Sequence, residues 1–93
     1  MSDRPLFATG KLGYTPAALA KLEEAGRRPM ELFARHAAGD WGNVDAESRQ
    51  ANDDAIAESG RLHSVYQLDT GVIIWVVTEA DRSATTILLP EED

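Results

Sequence analysis

The sequence contains no cysteine, and that absence removes disulfides, thiolate zinc sites and cysteine nucleophiles together. A chain held by packing alone suits a reducing compartment, so a cytoplasmic location is expected. Cations are scarce: 9 Lys+Arg stand against 16 Asp+Glu, for a net charge of −7. That balance opposes the broad basic face needed to grip phosphates, and nucleic acid is not the expected partner. Long apolar runs are missing too. The longest, Val72 to Val77, is strand-sized and falls short of the roughly 18 residues that span a bilayer, so no membrane association is expected. The segment Met1-Ser2-Asp3-Arg4-Pro5 has no basic stretch followed by an apolar one, which argues against a secretory signal.

What is present describes one small domain of 93 residues, 43% hydrophobic and 27% charged. Residues 1–14 read as an irregular arm broken by Pro5, Gly10 and Gly13. Thr15 followed by Pro16 signals a helix start, with Ala18, Leu19, Leu22 and Ala25 on one face and a stop at Gly26. Pro29 opens a second helix whose expected stripe is Met30, Phe33 and Ala37, with His36 at its edge. Asp45 caps a third over residues 46–58. It is acidic, and only Ala51, Ala55 and Ile56 line its inner face, with Asn52 close by. After Gly60 the pattern alternates: Leu62, Ser64, Tyr66 and Leu68 oppose Arg61, His63, Val65 and Gln67. Asp69-Thr70-Gly71 makes a hairpin loop, Val72 to Thr78 a second strand and Ala84 to Leu89 a third, ending before Pro90.

The expected fold is therefore α+β, with three N-terminal helices packed on a three-stranded antiparallel β-meander. The domain covers residues 15–90, and Glu91-Glu92-Asp93 forms a solvated acidic tail. Because the central strand is apolar on both sides, its second face needs a cover. The arm is the first choice and a homodimer the second, which leaves monomer or homodimer as the expected state.

Two polar clusters exceed what folding alone requires. In Arg35-His36-Ala37-Ala38-Gly39-Asp40-Trp41-Gly42, an imidazole near a carboxylate has the makings of a general base or acid with a fixed tautomer. The same residues have a structural reading: His36 meets the helix dipole, Asp40 binds loop amides and Trp41 plugs the core. In the second cluster, Glu79, Asp81 and Arg82 sit at a hairpin tip, where they suit either a phosphate or a self-paired, soluble turn. His36 and His63 lie on different elements without HExxH or a calcium loop, so no metal is expected. Neither a Walker loop, GxGxxG nor GxSxG occurs, and no cofactor is expected.

Arg35-His36-x-x-Gly39-Asp40-Trp41-Gly42, Gly60-Arg61-Leu62-x-Ser64-x-Tyr66 and Trp75-Val76-x-Thr78-Glu79-Ala80-Asp81-Arg82-Ser83-x-Thr85-Thr86-x-Leu88-Leu89-Pro90 resemble the recurrent segments of a family of short bacterial proteins. That family is carried on plasmids and integrated mobile elements, under names such as plasmid-related protein. The likeness spans about residues 15–92. Some members are labelled restriction-enzyme subunits, which 93 residues cannot accommodate. Asp93 stands where an aromatic residue closes the family's tail.

The resemblance implies a mobile-element protein and little of its chemistry; the leading expectation, which rests on the acidic charge, is a protein-binding module that docks on a host or element-encoded protein, in defence or anti-defence. The acidic third helix (Glu47, Asp53, Asp54, Glu58), together with Asp40, Trp41 and Asp81, supplies the candidate binding residues. The alternative is a RelE/barnase-like ribonuclease of toxin type, suggested by the order of helices then strands. In that reading His36 is base or acid, Glu79 its partner and Arg82 the phosphate ligand.

Overall fold

A computed structural model describes residues 5–93. Local helix signals act where the sequence places them. The Thr15 hydroxyl accepts the Ala18 amide at 3.1 Å and Pro16 opens α1 (Pro16–Glu24). Pro29 opens α2 (Pro29–Ala37). The Asp45 carboxylate accepts the Ser48 amide at 2.7 Å at the start of α3 (Ala46–Glu58). Each cap satisfies an amide that has no partner inside its helix.

The sheet departs from the expected meander. A short strand, β1 (Lys11–Tyr14), precedes the helices, and β2 (Leu62–Gln67), β3 (Ile73–Thr78) and β4 (Ala84–Leu88) follow them. The strand order is β1-β4-β3-β2, with β1 parallel to β4 and the remaining pairs antiparallel. The sheet is thus four-stranded and mixed, and the helices form the middle of the chain. β1 escapes a periodicity reading because Leu12 and Tyr14 remain 45% and 49% exposed with Gly13 between them. It presents no apolar stripe to a core, and its partner lies at the far end of the sequence.

Two helix faces also differ from expectation. Leu32, Phe33 and His36 point inward from α2, whereas Met30 is 62% exposed. On α3 the buried residues are Asn52 and Ala55, and Ala51 faces solvent. The main core joins Ala18 and Leu22 of α1, Leu32 and Phe33 of α2, and Tyr66, Ile74, Val76 and Ile87 of the sheet. Full burial of each large apolar side chain contributes about 1.5–3 kcal/mol. A second cluster gathers Phe7, Trp41, Ala55 and Leu62.

The end of the chain, where the arm was expected, packs against part of the outer face of the sheet, and Val65 and Trp75 on that face stay half-buried. Arg61 and His63 share a side of their strand, and Asp93 meets the Arg61 guanidinium at 2.7 Å. The short turn Pro90–Glu92 is tied down as Glu92 accepts the Leu89 amide at 2.8 Å and the Thr15 hydroxyl at 2.7 Å. The acidic end is therefore folded back, and Val77 and Leu88 on that face are 2% and 8% exposed. Residues 1–4 of the expected arm lie outside the described residues; its Phe7 lies on the helix side, where the ring stacks on Trp41 at 6.1 Å.

Candidate functional site

His36 projects from the last turn of α2 into the sheet and has no solvent exposure. It stands at the head of a chain of buried hydroxyls whose proton directions follow from counting. Thr85 donates to the Thr9 carbonyl at 2.7 Å, because a carbonyl only accepts. The single Thr85 proton being spent, Thr78 donates to Thr85 at 2.7 Å. The Thr78 hydroxyl must then accept from His36 Nε2 at 2.8 Å, which fixes the Nε2–H tautomer. Ser64 in turn donates to Nδ1 at 2.6 Å. Every polar atom of the neutral imidazole is satisfied, and burial, with a smaller contribution from His63, pushes its pKa down to about 4. Phe7 and Trp41 close over the ring edge-on at 5.3 and 5.6 Å.

The other proposed catalytic groups are engaged elsewhere. Arg82 donates to the Gly60 carbonyl at 2.6 Å and to the Ala55 carbonyl at 2.8 Å. Ala55 belongs to the C-terminal turn of α3 and Gly60 follows its C-cap, so the guanidinium supplies the cation that this helix end lacks in its own sequence. Glu79 lies 3.9 Å from Arg61. The Phe7 ring packs against His36 and also lies 5.8 Å from the Arg82 guanidinium. His36, Glu79 and Arg82 therefore do not line a common open cavity.

Of the remaining candidate residues Trp41 is buried in the second core cluster, and the others fall on the surface. Arg35 meets Asp40 at 2.7 Å and lies 4.4 Å over the Tyr66 ring. The hydrogen bond from Arg35 holds the Asp40 carboxyl below its ordinary range. The Tyr66 hydroxyl donates to the Asp40 carbonyl at 2.6 Å, and burial pushes its pKa up to about 12. A shallow pocket of about 140 Å³ opens beside this pair, lined by Arg27, Glu31, Arg35, Tyr66 and Asp69. Its charges already pair among themselves, with Arg27 at 3.5 Å from Glu31 and 3.3 Å from Asp69, so it offers no unspent cation to an anionic ligand. Asp81 accepts the Ser83 amide at 2.9 Å in its own turn. Trp41 donates its indole proton to Asp53 at 3.1 Å, which ties α3 to the loop before it.

On α3, Glu47, Asp53, Asp54 and Glu58 are exposed, and no ion pair among the described residues involves this helix. Composition identified these carboxylates. It did not identify Asn52, Ser64, Thr78 and Thr85, the buried polar residues that organise the interior. The one sequence signal of Ser64, Thr78 and Thr85 is a polar residue at an inward position of a strand, and that of Asn52 is its place beside the inner face of α3. No family model, curated protein or solved structure matches the chain.

Proposed function

We propose that the protein is a docking domain that presents the carboxylates of α3 to a basic surface on another protein. The observation that supports this is the way α3 is held. A helix with only Asn52 and Ala55 buried is anchored by polar contacts from Asn52, Asp53 and the Arg82 guanidinium. Its other faces stay in water, carrying Glu47, Asp54 and Glu58 against the single cation Arg49, and no ion pair among the described residues engages these carboxylates. Such a ridge steers a basic partner and penalises an acidic one. With the resemblance to mobile-element proteins, the proposed setting of this docking is defence or anti-defence.

The test is affinity capture from a nuclease-treated bacterial extract with two baits, the native chain and a Glu47→Gln, Asp53→Asn, Asp54→Asn, Glu58→Gln variant. Asn at position 53 keeps an acceptor for Trp41. The expected result is a basic protein held by the native bait, lost at raised salt and lost from the variant. Equal capture by both baits would overturn the reading.

A further inference from the structure

We propose that the protein pairs with a second copy of itself along the outer edge of β1, antiparallel and centred on Gly13. The two edges of the sheet are treated differently. On β2 the outward groups of His63 are bound by the Asn52 carboxamide, which donates to the His63 carbonyl at 2.9 Å and accepts its amide at 3.1 Å. Those of Val65 are bound by the Trp41 carbonyl at 3.0 Å and the Asn43 amide at 2.6 Å. The chain closes this edge itself, as edges that must not associate are closed.

β1 has no comparable cover. The Lys11 amide donates to Ser83 at 3.1 Å and the Thr15 amide to Ile87 at 3.0 Å. Residues 11, 13 and 15 therefore face β4, and the N–H and C=O groups of Leu12 and Tyr14 point outward. Among the described residues nothing pairs with them. Their side chains share one face of the strand and are 45% and 49% exposed. An edge with bare main chain and exposed apolar side chains is a template for another strand.

Charge identifies that strand as β1 of a second copy. In antiparallel register about Gly13, Leu12 lies opposite Tyr14 of the second copy, and both carry outward main-chain groups, so reciprocal hydrogen bonds form. Lys11 then lies opposite Thr15, whose hydroxyl holds Glu92 through Oε1 at 2.7 Å. The Leu89 amide uses the same oxygen, which leaves Oε2 unspent. Neither Lys11 nor Glu92 has an ion-pair partner among the described residues, and the two-fold axis brings both pairs together. A register centred on Leu12 sets Lys11 against Gly13 and leaves it unpaired. One centred on Tyr14 sets Leu12 against Pro16, which has no amide to donate. Gly13 suits the axis, since a Cβ built there meets nothing within 4 Å. This edge lies across the sheet from the one α3 covers, so self-association and docking through α3 are independent.

The chain has no cysteine, and Gly13→Cys therefore gives a direct readout. Opposed residues at a non-hydrogen-bonded antiparallel position have Cα atoms about 4.5 Å apart, within disulfide reach. Under mild oxidation Gly13→Cys should form a linked dimer while Glu23→Cys, on the exposed side of α1, does not. Sedimentation of the native chain over a concentration series should show a reversible dimer. A Leu12→Lys, Tyr14→Lys variant that keeps the native circular dichroism should weaken that dimer by about tenfold or more. A native chain that stays monomeric, a dimer that ignores the double variant, or cross-linking no greater than in the control would overturn the proposal.

Discussion

His36 shows how one residue type can carry opposite meanings. In sequence, a histidine beside Asp40 and Trp41 invites a catalytic reading, because its ordinary pKa lies near neutrality. In the fold it is a neutral core residue whose two nitrogens are committed to Ser64 and Thr78. Its pKa falls from 6.5 to about 4, so the unfolded chain takes up a proton that the native state refuses. The associated stability is present above pH 6.5 and is lost as the pH falls toward 4, to the extent of about 3 kcal/mol. Denaturant titrations across that window should show the decline. His36→Ala should flatten it while lowering stability near neutrality by about 3 kcal/mol, since Ser64 and Thr78 lose their partner. Nothing local in the sequence announces this burial. The hydroxyls that satisfy His36 come from strands remote along the chain, and the expected stripe through Met30 set α2 a fraction of a turn away from its true inward face.

Helix starts were legible because a cap is a local event. Thr15-Pro16, Pro29 and Asp45 act within one turn, and each helix begins where they stand. β1 was not legible, because a parallel edge strand depends on a partner from the other end of the chain and exposes both its larger side chains. The acidic end is exposed, as expected, but its anchors were not legible, because Thr15 and Arg61 belong to other elements. Two predictions belong to this scale. Arg82 adopts a left-handed φ of 63° and bonds the Ala55 carbonyl in the last turn of α3 and the Gly60 carbonyl just beyond it, so Arg82→Ala should cost about 2 kcal/mol in denaturant unfolding. Arg82→Lys should recover little of that, since an ammonium cannot reproduce the planar fork. Asn52→Ala should cost about 2 kcal/mol and speed exchange of the His63 amide by NMR, because the carboxamide is what seals that edge of β2.

At the scale of the molecule, polar chemistry divides into two compartments. Inside, a hydroxyl and imidazole chain runs from Ser64 through His36, Thr78 and Thr85 to Thr9 without reaching solvent at the histidine. Outside, six ion pairs among the described residues neutralise parts of the surface and leave α3 negative. The charge excess was readable from composition alone, but its concentration on one weakly buried helix required the contacts of Asn52, Asp53 and Arg82. Replacing Glu47, Asp53, Asp54 and Glu58 by their amides should leave the melting temperature within a few degrees of native, because like charges on an exposed helix contribute little to stability. Binding should change and folding should not.

The division between a sealed interior and a docking surface depends most directly on the state of His36. Nitrogen-15 NMR of the imidazole, followed from pH 8 to acid unfolding, reports both tautomer and titration. The expected spectrum is a neutral ring protonated at Nε2 that does not titrate until the pH approaches 4. A ring that titrates near 6.5, or carries its proton on Nδ1, would contradict it and return His36 to the list of groups able to exchange protons with a substrate.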